Sequence, residues 1–108
     1  MSEFDPFEGF STTVATSGSA VELSPQPYSN THTVMVYNGT NADAYLRWQT
    51  GATAIGASNG VRVPALSSIQ LAIGPKSVRP SSGAATLRAD ASANGTVINV
   101  TYVNGVAY

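Results

Sequence analysis

The sequence predicts an all-β fold: a single β-sandwich or jelly-roll domain over residues 11–108, preceded by an extended N-terminal arm over residues 1–10. Three observations carry this reading. From Ser11 onward apolar residues recur with a period of two, the mark of half-buried strands. Gly, Pro and Asn punctuate these runs at close spacing and divide them into seven or eight short strands. No window of a dozen residues carries an apolar stripe of helical period. At 108 residues without a cysteine, the chain has the length of one domain, and its core must form by packing alone.

The arm stands apart in composition. It holds three of the six acids (Glu3, Asp5, Glu8) and all three phenylalanines (Phe4, Phe7, Phe10). Pro6 pushes Asp5 out of helical space and Gly9 disfavours a helical turn beyond it, so an extended or irregular segment is predicted. Three large apolar side chains on such a segment either fold back over the sandwich or bury themselves in a neighbouring protein.

Weak strands follow at residues 12–16 and 20–23, joined by Ser17-Gly18-Ser19, and then a loop with Pro25 and Pro27. Residues 33–38 read as a strand apolar on both faces, with Val34 and Val36 on one side and Met35 and Tyr37 on the other. In residues 44–49, Ala44, Leu46 and Trp48 share one face, with Tyr45, Arg47 and Gln49 opposite; the intervening Asn38-Gly39-Thr40-Asn41 predicts a hairpin. Trp48 is placed in or near the core. Residues 66–74 alternate most clearly, with Ile69, Leu71 and Ile73 inward between Pro64 and Pro75. Residues 85–90 and 97–102 alternate as well, and Asn94-Gly95 between them predicts a second hairpin. The longer loops are residues 24–31, 50–59 and 75–83.

Composition narrows the function. Charged residues are 10% of the chain, against a usual share of about 25%. A surface of small neutral polar groups is cheaper to cover with another subunit than a charged one, so low charge suits an assembly. The net charge of −1 provides no cationic footprint for a phosphate backbone, and nucleic acid is not an expected partner. No run approaches the ~18 apolar residues of a membrane span, and the acidic N-terminus is unlike a signal peptide, which points to synthesis in the cytoplasm. Three sequons, at Asn38, Asn94 and Asn99, read as chance in a chain rich in Asn and Thr.

Little chemistry is available. His32 is the only histidine, which excludes a multi-histidine metal site, and no Gly-x-Ser-x-Gly elbow accompanies the many serines. Paired carboxylates would have to come from Glu22, Asp43 and Asp90. Gly51 to Gly56 lacks the Gly-Lys-Ser/Thr ending of a phosphate loop. The expectation is a non-enzymatic protein with no catalytic residue, metal or cofactor.

The succession Val34-Met-Val-Tyr-Asn38, Ala44-Tyr-Leu-Arg-Trp48 with Gly51 close behind, Val61-Arg-Val-Pro-Ala65, Ile69-Gln-Leu-Ala-Ile-Gly74 and Thr96-Val-Ile-Asn-Val-Thr-Tyr102 resembles the small β-sandwich virion proteins of tailed phages. The resemblance covers roughly residues 33–102 and is one of strands and turns, carrying no catalytic residue. It implies a decoration or cement protein on the outside of the phage head, with the major capsid protein as partner and a homotrimer as the assembly. On that reading Glu3, Phe4, Asp5, Phe7, Glu8 and Phe10 form the capsid-binding arm, and Met35, Tyr37, Tyr45 and Arg47 contribute to a subunit interface. The alternative is a module of a tail or fibre that binds carbohydrate or a host receptor, with Tyr28, Tyr45 and Tyr102 as stacking candidates.

Overall fold

Eight strands form among the described residues: β1 (Asp5–Val14), β2 (Val21–Glu22), β3 (Thr31–Asn38), β4 (Ala44–Gln49), β5 (Val61–Val63), β6 (Ser67–Ala72), β7 (Thr86–Ala91) and β8 (Thr96–Asn104). The computed structural model describes the backbone of residues 5–28, 31–73 and 85–104 and the side chains of residues 9–28, 31–73 and 85–103. The predicted loop at residues 75–83 lies outside the described residues.

The strands make two antiparallel four-stranded sheets, ordered β1-β8-β3-β6 and β2-β7-β4-β5. Successive strands alternate between the two sheets at every step except β4 to β5, which is the eight-stranded double Greek key of a jelly roll. Between the sheets lie the inward residues of both, among them Val14, Val34, Val36, Leu46, Val63, Ile98, Val100 and Tyr102, all buried. Each fully buried side chain of this size stabilises the fold by about 1.5–3 kcal/mol relative to exposure. Trp48, Ile69 and Leu71 pack against this core as partly buried neighbours.

Both predicted hairpins are corrected. β3 pairs with β6 and β8, and β4 pairs with β5 and β7, so the turn after Asn38 carries the chain from one sheet to the other. Asn38 makes this corner. Its buried amide donates to the carbonyls of Ala42 (2.5 Å) and Val63 (3.2 Å) and accepts from the Thr40 N–H and hydroxyl. Every polar group of the side chain serves the crossing, which fixes the chain's path across the sandwich edge rather than back alongside β3. Residues 92–95 likewise cross from β7 to β8; Gly95 takes a left-handed conformation (φ 74°), and its N–H donates to the Val14 carbonyl at 2.8 Å.

The arm boundary also differs from expectation. β1 runs from Asp5 to Val14 and pairs with β8 on both sides of an irregularity at Phe7, so residues 5–10 are part of the sandwich. Pro6 is accommodated because β1 is an edge strand, and the register shifts between Pro6 and Glu8.

Candidate interaction surfaces

The alternation that fills the core also decides what each sheet shows on its outer side. On the first sheet, two cross-strand rows face outward: Gly9-Thr101-Met35-Gln70 and Ser11-Asn99-Tyr37-Ser68, with Thr13 beside Val97 at one end. None of these residues is charged. Tyr37 is 45% and Val97 38% exposed, while Met35 and Thr101 are half-buried. Polar groups here satisfy each other, as where the Ser11 hydroxyl donates to the Asn99 carboxamide oxygen at 2.7 Å.

The second sheet is the opposite. Its outer rows are Arg62-Tyr45-Asp90 and Arg47-Arg88-Glu22. All six charged residues with described side chains (Glu22, Asp43, Arg47, Arg62, Arg88, Asp90) lie on this sheet or in the turn leading into it. Arg62 pairs with Asp43 at 2.9 Å, and Arg88 lies 3.7 Å from Glu22. The hydrogen bond from Arg62, reinforced by one from the Ala65 N–H, holds the Asp43 carboxyl below the usual carboxylate range. Asp90 is buried and accepts three backbone N–H bonds: from Gly18 (3.0 Å) and Ala91 (2.7 Å) at Oδ1, and from Ile55 (2.8 Å) at Oδ2. It fastens the β1–β2 and β4–β5 loops onto β7. The three acids considered for paired-carboxylate chemistry are each engaged in this way by different partners.

Where β5 leaves β4 a cleft of 530 Å³ opens, lined by Leu46, Arg47, Trp48 and the segment from Ser58 to Val61. Gly60 forms part of its wall because nothing larger fits: an added Cβ would lie 2.3 Å from Ile55 Cγ2 and 3.1 Å from the Leu46 carbonyl oxygen.

The structure separates the expected interface residues. Met35 and Tyr37 share the neutral face, whereas Tyr45 and Arg47 lie on the outer side of the other sheet, so the four do not make one surface. Of the arm residues, Glu3 and Phe4 lie outside the described residues, and Asp5, Phe7 and Glu8 are described by backbone alone, within β1. Phe10 packs inward, its ring edge-on to Tyr102 with centroids 5.3 Å apart. The three candidate stacking tyrosines do not form a platform: Tyr102 is fully buried and its hydroxyl donates to the Pro25 carbonyl, Tyr28 stands edge-on to it at 6.1 Å, and Tyr45 is on the other sheet. Reasoning from sequence missed the outward row of β8 (Val97, Asn99, Thr101) as part of the neutral face. Its alternation was visible, but the pairing that sets it beside Met35 and Tyr37 was not.

No protein-family model matches the chain, and neither does any curated protein or solved structure.

Proposed function

We propose that this protein is a virion decoration protein, which attaches to the outside of a phage head through its neutral sheet face and reinforces the shell by packing between subunits. The observation that carries the reading is the segregation of charge. Among the residues with described side chains, one sheet face carries no charge and exposes Tyr37 and Val97, while the charges gather on the other. Burying the neutral face strands no unpaired charge, and its Ser, Thr, Asn and Gln groups form hydrogen bonds with a partner as readily as with water.

Jelly rolls serve shells, lectins and enzymes alike, so the fold does not choose among them. A phage head as partner rests on the resemblance of the strand succession from Thr33 to Tyr102. The size of the face sets the mechanism. Four strands about 4.8 Å apart and seven residues long at about 3.3 Å each project to roughly 450 Å², about half of the ~800 Å² per partner of a standard interface. Each copy therefore holds weakly through this face alone. Cementing comes from many copies, from further contacts, and from the symmetry of a trimer that engages several capsid subunits at once.

The test is co-sedimentation with undecorated heads of a tailed phage. Tyr37→Arg and Val97→Asp place charge on the neutral face and should abolish attachment, whereas Arg62→Gln on the other face should leave it intact. Equal attachment by all three variants would remove the neutral face from the mechanism. Deletion of residues 1–10 is not a clean test, because residues 5–10 form much of β1.

A further inference from the structure

The geometry points to the cleft beside β4 as an acceptor for an extended segment of a second copy of this chain, residues 1–4. β5 pairs with β4 only from Ala44 to Leu46, while β4 continues to Gln49 along β7. At Trp48 the strand therefore has a partner on one side only. Leu87, opposite Trp48, turns both its backbone groups away from β4: its N–H donates to the Gln26 side chain, and its carbonyl accepts from Leu23 N and Gln26 Nε2. In an antiparallel pair of this kind the facing residue also points both groups away, and for Trp48 that direction is the cleft. The Leu46 carbonyl, two residues earlier, has the same parity, since it points to Gly60 on the cleft side. Trp48 thus presents a free N–H and C=O, without a partner among the described residues, to a groove with largely apolar walls. This is what strand addition uses.

Charge selects the occupant. Arg47 is exposed at the rim and, unlike Arg62 and Arg88, has no acidic partner among the described residues; its guanidinium donates only to the Gln49 side chain, at 3.3 Å. Residues 1–4 end in Glu3-Phe4, an acid next to a large aromatic. In an extended strand these two side chains point to opposite faces, as Arg47 and Trp48 do on β4. A parallel strand laid beside β4 with Phe4 on the inner side next to Trp48 puts Glu3 on the outer side beside Arg47, and this is the arrangement that the charges favour. This contact between copies needs no capsid and goes beyond the decoration reading.

Trp48 is the sole tryptophan, so its emission reports on the cleft alone. Purified full-length protein would be followed through a dilution series by light scattering for mass and by Trp48 emission, with circular dichroism to show that each variant is folded. Mass and emission should change together at one midpoint. Phe4→Ala should raise that midpoint roughly 10- to 100-fold, as expected for losing one buried aromatic. Arg47→Glu should weaken association, and adding Glu3→Arg to the same chain should restore it. A monomer at all concentrations, an oligomer that survives both single variants, or a mass change without an emission change would each overturn the proposal. So would an emission change caused by Phe4→Ala in a protein whose mass does not depend on concentration, because the segment would then occupy its own chain's cleft.

Discussion

The carboxylate of Asp90 accepts the backbone N–H of Ile55 at 2.8 Å, joining β7 to the long β4–β5 loop in a site closed to solvent. Because Oδ1 of the same carboxylate is occupied by Gly18 and Ala91, the Ile55 bond depends on the second oxygen being an acceptor. Asp90→Asn keeps the shape and, with its oxygen retained at the Oδ1 position, sets an NH2 against the Ile55 N–H. The expected cost is about 1–3 kcal/mol, seen as a melting temperature lower by roughly 5–20 °C and as faster amide exchange at Ile55.

Asn38 gives a second stability prediction. Asn38→Asp replaces the donor to Ala42 and Val63 with an oxygen facing two carbonyl oxygens, in a place with no exposure. The expected loss is about 3 kcal/mol or more, since both carbonyls lose their donor and a charge is buried without a partner. Urea denaturation would measure it, and Asn94→Asp, at an exposed turn, is the control expected to change little.

Phe10 belongs to the core side of β1, and Phe10→Ala should destabilise the isolated protein by about 1–3 kcal/mol through lost burial and the lost ring contact with Tyr102. A residue that served only a neighbour would leave the melting temperature of the purified protein unchanged.

These cases mark what was legible in the sequence. Period-two alternation places β3, β4 and β6 closely, because each strand buries one face and the pleat admits only one reading. The hairpins failed because Asn38-Gly39 and Asn94-Gly95 encode a reversal of direction but not the sheet in which the chain continues; both strands flanking each turn bury their inner faces in either arrangement. The true arrangement is fixed by Asn38 bonding to Val63, 25 residues away. β1 was cut short because Pro6 and Gly9 read as breakers, which an edge strand tolerates. The alternation of β3 set Met35 and Tyr37 on the face opposite Val34 and Val36, and the structure turns that face away from the core. Tyr45 and Arg47 carried the same local signal, but which sheet they decorate depends on long-range pairing. Asp90 gave no local sign of its role, since two of its three donors, Gly18 and Ile55, lie far away in sequence.

The Asp43–Arg62 pair predicts a pH dependence. The folded Asp43 carboxyl titrates below its unfolded value, chiefly through the Arg62 hydrogen bond, so its stabilising contribution is complete above an unfolded pKa of about 3.9 and fades as pH falls through the lower folded value. The pair is solvent-exposed and its effect small. Urea midpoints of the native protein and Arg62→Gln, measured from pH 6 down to pH 2, should differ at the upper end and converge at the lower. A difference that stays constant over that range would show that Arg62 acts through packing instead.

Attachment to the capsid through the neutral face would be read out by hydroxyl-radical footprinting of the protein free and bound to phage heads. Met35 and Tyr37, on that face, should be protected from oxidation in the bound state, while Tyr45, on the outer side of the opposite sheet, reacts as it does in the free protein. Protection of Tyr45 with unchanged reactivity at Met35 and Tyr37 would contradict the account and assign attachment to the charged sheet.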